Sequence, residues 1–271
     1  MDVERTVANH YTRGDLKQAI DKALPGDGSD AAALVGIEEF HIGGREATAE
    51  LIAQLSLRPE MHVLEIGAGI GGTARYIAQK FGCRVTGIDL TEEYVKVADT
   101  LSKRLGVDDR ISFRQGSALA MPFEPASFDA ATMLHVGMNI GDKRALFAEV
   151  ARVLKPGGVF AVYDVMKSGP GEVTFPVPWA RTAETSFVAD PATYRSALEA
   201  SGFTPAPERG RRDFALAFFR KLRAQTAEKG LPPLGLHVLM GETSREKIAN
   251  MIANLEQGVI APVEIIARKK T

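Results

Sequence analysis

The fold of this chain is decided by the stretch Val63-Leu64-Glu65-Ile66-Gly67-Ala68-Gly69-Ile70-Gly71-Gly72. Its apolar first half predicts a buried strand, and its glycines predict a tight turn that opens a helix. Gly67, Gly69 and Gly72 have the spacing of a dinucleotide-binding turn, in which backbone N–H groups approach the ligand. Glu65 is the exception within the strand, because a buried carboxylate is costly unless something pairs with it. A cationic ligand group would meet that need.

The composition indicates a globular protein that binds a small molecule. Its 271 residues are 45% hydrophobic, which is enough for one large α/β domain with insertions. Thirty-three basic and thirty-four acidic residues give a net charge of -1, and no basic run predicts a nucleic-acid partner. The chain shows neither an apolar signal core nor a run of about twenty apolar residues, so we expect a cytoplasmic protein with no membrane segment.

The single cysteine limits the kinds of site that this chain can contain. Cys83 is the only cysteine, which rules out an intrachain disulfide and any cysteine-cluster metal site. The other potential ligands lack metal spacing, so no metal site is predicted. The sequence leaves a homodimer open.

Strand and helix patterns alternate after the glycine turn, which predicts βαβ crossovers and a doubly wound, mainly parallel, seven-stranded Rossmann-like sheet. The later core strands are predicted at residues 84–89, 111–115, 128–134 and 158–163, followed by a weak strand near 203–213 and a convincing one at 259–267.

We expect residues 1–271 to form a single domain. Residues 1–60 read as an N-terminal helical lid segment, and 61–165 read as the core that binds the ligand. Two insertions, 166–190 and 214–258, are expected to shape a substrate pocket; the first is irregular and the second is helical.

In open α/β sheets, ligands bind at the carboxyl ends of the strands. This rule predicts a single crevice that contains Glu65, Asp89, the run Gly116-Ser117-Ala118, His135 and Asp164. Asp89 stands 22 residues after Gly67, the spacing at which a carboxylate can accept hydrogen bonds from both ribose hydroxyls of an adenosine group. The glycines alone leave nicotinamide, flavin and S-adenosylmethionine (SAM) open, and Asp89 suits SAM and NAD equally.

Taken together, these motifs resemble those of the class I SAM-dependent methyltransferases. Val63 to Gly69 is similar to the family's first motif, and Gly87 to Leu90 to its second acidic strand end. Pro122 to Asp129 resembles the fourth strand, and Arg152 to Gly158 a later turn. Within the family, the chain resembles bacterial small-molecule enzymes related to sarcosine/dimethylglycine N-methyltransferases and to sugar or natural-product O-methyltransferases. The resemblance implies SAM as cofactor and S-adenosylhomocysteine as product, and makes a nicotinamide-dependent oxidoreductase the weaker alternative.

The resemblance also implies a set of cofactor contacts. Glu65 should lie near the methionine amino group, and Asp89 should hold the ribose. Where relatives usually have Gly-Asp-Ala, this chain has Gly116-Ser117-Ala118, so a hydroxyl would accept the bond from the adenine amino group without the assistance of charge. The remaining expected contacts are the backbone of Gly67, Ala68 and Gly69, the side chain of Leu90, Ala118, His135, and Tyr11 from the N-terminal lid.

His135 and Asp164 end consecutive predicted strands and could face the methyl group together. There the imidazole could remove a proton from the acceptor while the carboxylate orients it. The alternative is that His135 packs against the cofactor and Asp164 caps a loop. His41, Trp179 and His237 are the candidate substrate-binding residues.

The expected reaction is methyl transfer to the nitrogen or oxygen of a small molecule. An amine of the sarcosine or dimethylglycine kind is slightly favoured, and a sugar or phenolic hydroxyl is the alternative. A SAM-binding module that does not catalyse is the third reading.

Overall fold

The opening stretch forms the centre of a single sheet. The structure is a computed structural model and describes residues 2–24 and 31–271, so residues 1 and 25–30 of the predicted N-terminal segment lie outside it. The strands are β1 (His62–Ile66), β2 (Arg84–Asp89), β3 (Ile111–Gln115), β4 (Phe128–Leu134), β5 (Leu154–Lys167), β6 (Phe203–Pro205), β7 (Arg209–Gly210) and β8 (Ile260–Lys269).

The strand order is β3-β2-β1-β4-β5-β8-β6, with the short β7 also paired to β8. The first five strands in this order, β3, β2, β1, β4 and β5, are parallel, and β8 runs antiparallel to its neighbours. This confirms the doubly wound, mainly parallel prediction. The described part has eight strands rather than seven because the strand predicted at 203–213 is interrupted; Pro205 and Pro207 cannot donate to a ladder there.

Strand β5 is longer than the predicted 158–163. It pairs with β8 from Val159 opposite Arg268 to Lys167 opposite Ile260. Asp164 therefore lies inside a paired strand and not at its end.

Helices cover both faces of the sheet. The helices are α1 (Val3–Tyr11), α2 (Leu16–Ala23), α3 (Ala31–Glu38), α4 (Gly44–Ile52), α5 (Gly72–Phe81), α6 (Glu92–Arg104), α7 (Lys143–Val153), α8 (Pro191–Ala200), α9 (Arg212–Lys229), α10 (Leu236–Met240) and α11 (Ser244–Glu256). Leu64 of β1 belongs to a core shared with α7 and α8, whereas its neighbour Val63 belongs to one shared with α4 and α5. The alternation of side chains along β1 thus joins two layers.

The N-terminal helices and the helices after β7 meet above one edge of the sheet. Leu16, Ile20 and Leu34 pack with Tyr94 of α6 and Leu239 of α10 in a third core. The loop between α1 and α2 is held by a single carboxylate, that of Glu93, which accepts the backbone N–H groups of Arg13, Gly14 and Leu16 at 2.6, 3.0 and 2.9 Å. These contacts fix α1 close to the carboxyl ends of the strands.

Over residues 2–24 and 31–271, no helix is long and apolar enough to cross a membrane, and no group of three His, Cys, Asp or Glu side chains could hold a metal ion.

Candidate active site

The glycine turn between β1 and α5 is tightly enclosed. A Cβ on Gly72 would lie 2.7 Å from the Cβ of Glu38 and nearer still to its carbonyl oxygen. Gly67 has a φ of 70°, and a Cβ there would lie 3.1 Å from Cγ1 of Val136 and nearer still to Cγ2. Glycine is therefore required at both positions, because the backbone of α3 and the residue after His135 press against the turn.

A cavity of about 410 Å³ opens beside this turn, at the carboxyl ends of β1, β2 and β4. It is lined by most of the residues that the sequence predicts for the site, namely Tyr11, His41, Glu65, Gly67, Ala68, Gly69, Asp89, Leu90, Ala118, His135 and Trp179. Ser117, Asp164 and His237 do not line it.

Glu65 points a buried carboxylate toward the start of α5. Its side chain is 4% exposed, and its Oε2 has no hydrogen-bond partner. Burial, followed by the charge of Glu39, raises its pKa well above the usual value, while Arg75 and the N–H end of α5 oppose the shift. A buried oxygen in this condition is a ready acceptor for a cationic donor.

The carboxylate of Glu39, unlike that of Glu65, has several polar partners. Its Oε2 lies 3.0 Å from His41 Nε2 and accepts the hydroxyls of Thr48 and Thr73 at 2.9 and 3.0 Å, and Arg45 Nε lies 3.0 Å from its Oε1. Burial acts to raise the pKa of Glu39, but His41 and Arg45 outweigh it and lower the pKa to about 2. His41 is therefore held by Glu39, with its ring at the cavity wall.

The two arginines of this region are engaged. Arg75 donates to Glu38 Oε1 at 2.7 and 2.9 Å, and Arg45 donates to Glu38 Oε2 at 2.8 Å. Neither guanidinium forms an ion pair with Glu65, which explains its unpartnered oxygen.

Asp89 connects two strand ends. It accepts the backbone N–H of Gly69 with Oδ2 and that of Thr91 with Oδ1, both at 2.8 Å. Burial raises its pKa despite these bonds. The carboxylate thus braces the glycine turn and still lines the cavity.

Ser117 has a different environment from the one predicted. Its hydroxyl donates to Glu4 of α1 and accepts the N–H of Leu119 at 3.0 Å. Glu4, not Ser117, lines the cavity. No local pattern indicates this pair, because 113 residues separate its members.

His135 follows β4 in an unusual backbone conformation, with a φ of 54°. The backbone N–H of His135 donates to the backbone carbonyl of Tyr163 at 2.7 Å, and the ring Nε2 has no hydrogen-bond partner. The ring centroid lies 5.0 Å from that of Tyr163 and 5.8 Å from that of His41. Burial and the charge of His41 lower the pKa of His135 well below the usual value, so the ring is neutral and can accept a proton.

Asp164 lies beneath the cavity and is fully buried. It accepts the hydroxyl of Tyr194 at 2.7 Å and the N–H of Val165 at 2.9 Å. Burial raises its pKa to about 6, against the effects of Tyr194 and Lys143. A Cβ on Gly137 would lie 2.6 Å from the Tyr194 hydroxyl, so the turn after His135 closes directly over this pair. The pairing of β5 with β8 is the reason that Asp164 does not reach the cavity as predicted.

The two insertions contribute differently from the prediction. Trp179 lines the cavity and donates its Nε1–H to Ser186 at 2.9 Å. His237 does not, although its neighbours Leu236, Leu239 and Met240 do. The five-residue α10 turns its apolar side to the cavity, which the sequence around His237 does not reveal by periodicity.

The Methyltransferase domain family matches residues 64–162. The sterol 24-C-methyltransferase ERG6B of Gibberella zeae is 37% identical over 114 residues, 42% of this chain and 30% of that protein. The sarcosine/dimethylglycine N-methyltransferase of Halorhodospira halochloris is 31% identical over 187 residues, 64% of this chain and 66% of that protein. The chain thus spans about a third of the length of the first sterol methyltransferases that it matches.

Solved structures share the fold over most of the chain. Geranyl diphosphate C-methyltransferase from Streptomyces coelicolor A3(2) has a TM-score of 0.73 at 18% identity, covering 99% of this chain and 98% of that one. The matched residues include most of the five parallel strands, the glycine turn, and the acidic residues Glu65 and Asp89. The chain therefore belongs to the class I SAM-dependent methyltransferases.

Proposed function

We propose that this protein transfers a methyl group from SAM to the nitrogen or oxygen of a small molecule and releases S-adenosylhomocysteine. The observation that carries the proposal is the unpartnered, buried oxygen of Glu65 at the glycine turn. An ammonium group satisfies such an oxygen, and SAM has one at its methionine end. The nicotinamide and flavin dinucleotides offer a pyrophosphate to the same turn, and a carboxylate there would repel it.

The cavity lining supports the remaining contacts that we propose. The Gly67 to Gly69 backbone would contact the methionyl part, and Asp89 would accept hydrogen bonds from the ribose. Leu90 and Ala118 would flank the adenine, Glu4 would offer a carboxylate where relatives have an aspartate, and Tyr11 would close the site from α1. When bound, SAM supplies a methyl group that is already activated, so much of the rate can come from alignment of the acceptor.

His135 is the proposed general base. Its neutral Nε2 is unpartnered and lies in the cavity wall, where it can take the proton of an acceptor hydroxyl or ammonium. Tyr163 and His41 fix the ring from two sides. Asp164 is assigned to positioning, because its contacts support the turn beneath the cavity.

Both classes of acceptor fit this arrangement of residues. Similarity to the Halorhodospira halochloris protein supports an amine as the acceptor. The neutral ring of His135 supports a hydroxyl, because a neutral amine needs no base to remove a proton before methyl transfer. His41 and Trp179 line the space that the acceptor would share.

Calorimetry with SAM and with NAD tests the cofactor, followed by measurement of S-adenosylhomocysteine release over panels of amines and phenols. We expect SAM binding, no NAD binding, and turnover that His135→Gln reduces. NAD binding without a response to SAM would indicate an oxidoreductase. SAM binding without turnover of any acceptor would indicate a binding module.

A further inference from the structure

The cavity is divided into two chemically different ends. The insertion helices and the 176–187 loop form an apolar end, whose lining includes Trp179, Phe218, Phe219, Leu239, Ile248 and Met251. The other end carries the carboxylates of Glu38, Glu39, Glu65 and Asp89. We use the term apolar end for the six residues of the first group.

No lysine or arginine lines the cavity in the part of the chain that the structure describes. The arginines beside Glu38 and Glu39 lie behind those carboxylates. Near the apolar end, Lys247 is 4% exposed and donates to the carbonyl of Met240 at 3.3 Å. An anionic acceptor would therefore lose its hydration without gaining a cation from the cavity lining, and would share the cavity with the carboxylates of Glu65 and Asp89.

The polar groups available to an acceptor lie at the border between the two ends. His135 offers its unpartnered Nε2, and the Tyr11 hydroxyl donates to Asn139 Oδ1 at 3.3 Å; all three residues line the cavity. This arrangement suits a molecule with one protic group at the border and an apolar body against the tryptophan and phenylalanine side chains.

Building on the proposed function, we infer that the methyl acceptor is a molecule with an apolar body, a single protic group and no negative charge. Amino acids such as sarcosine and dimethylglycine carry a carboxylate and lack that body. The proposed acceptor therefore differs from the substrate named for the Halorhodospira halochloris relative.

Trp179 provides a direct test, because it is the only tryptophan in the chain and belongs to the apolar end. Its fluorescence is followed during titration of the wild-type protein, saturated with S-adenosylhomocysteine, with 1-hexanol, 1-octanol and 1-decanol. Each alcohol is matched by the carboxylate of the same length. We expect the alcohols to bind about threefold to fourfold more tightly per added methylene, and the carboxylates to bind at least tenfold more weakly than the alcohols.

A charge placed in the apolar end sharpens the test. Ile248→Lys should reverse the preference, so that octanoate binds more tightly than 1-octanol. Ala249→Lys adds the same charge to an exposed position of the same helix and should leave the alcohol preference unchanged.

The outcomes separate the inference from the proposed function. If calorimetry shows SAM binding but the alcohols show no dependence on length, or the carboxylate binds as tightly as the alcohol, the inference is overturned and the cofactor assignment stands. Unchanged preference in Ile248→Lys would also overturn it. If SAM itself does not bind, the proposed function fails first.

Discussion

The backbone N–H of Gly69 donates to Oδ2 of Asp89 at 2.8 Å, and this bond joins the turn after β1 to the end of β2. The same carboxylate lines the cavity. Asp89 therefore has two roles, because it holds the turn in shape and presents an oxygen to the ligand.

Asp89→Ala should weaken the binding of SAM and of 5′-methylthioadenosine alike. Both ligands contain the ribose, and only SAM contains the amino-acid part. Loss of a charge-assisted bond predicts a reduction of about tenfold to a hundredfold in each affinity, measured by calorimetry. The exposed Asp108→Ala is the matched control. A loss confined to SAM would contradict the ribose assignment.

His135→Gln should lower kcat by about a hundredfold or more while the dissociation constant of SAM stays within twofold of wild type. Burial lowers the pKa of His135 well below its usual 6.5. The base form therefore persists as the pH falls, and wild-type kcat should not decline when the pH is lowered through 6.5. A pH–rate profile with a step at 6.5 or above would argue against His135 as the base.

Gly72→Ala should destabilise the fold, because the new Cβ would collide with the backbone of Glu38. We expect a loss of about 2 kcal/mol in the free energy of unfolding, measured by urea denaturation. Gly210→Ala is the control, since a Cβ there has no neighbour within 4 Å. Equal effects of the two substitutions would show that the turn is less tightly enclosed than described.

Asp164 should make stability depend on pH. Burial raises its pKa from 3.8 to about 6, so the folded protein holds this proton more tightly than the unfolded chain. Its contribution is fully present below pH 3.8 and is lost as the pH rises to about 6, a loss of roughly 3 kcal/mol. Asp164→Asn should remove that part of the decline between pH 4 and 6. Urea denaturation at several pH values measures it, with Asp108→Asn as control; identical profiles of Asp164→Asn and wild type would contradict the assignment.

The core of the fold could be predicted from the sequence because its signals are local. The strand, the glycine turn and the acidic strand end all lie between Val63 and Asp89. Each of these features is indicated by residues next to one another in the sequence. The same holds for the cavity contacts of Glu65 and Gly67, which follow directly from the turn.

The residues that the sequence did not predict correctly depend on distant pairing. Asp164 does not line the cavity, because pairing with β8, about a hundred residues later in the chain, extends β5 past this residue. Ser117 is engaged by Glu4, from the other end of the chain. Neither relationship has a local signal, because each arises only when α1 and β8 pack in three dimensions.

We propose that the unpartnered carboxylate oxygen of Glu65 holds the ammonium group of SAM. Calorimetry of wild type and Glu65→Gln with SAM and with 5′-methylthioadenosine tests it most directly, and the exposed Glu92→Gln serves as control. We predict that Glu65→Gln weakens SAM binding by about tenfold to a hundredfold and leaves the affinity for 5′-methylthioadenosine unchanged. Unchanged SAM affinity, or an equal loss for both ligands, would contradict the claim.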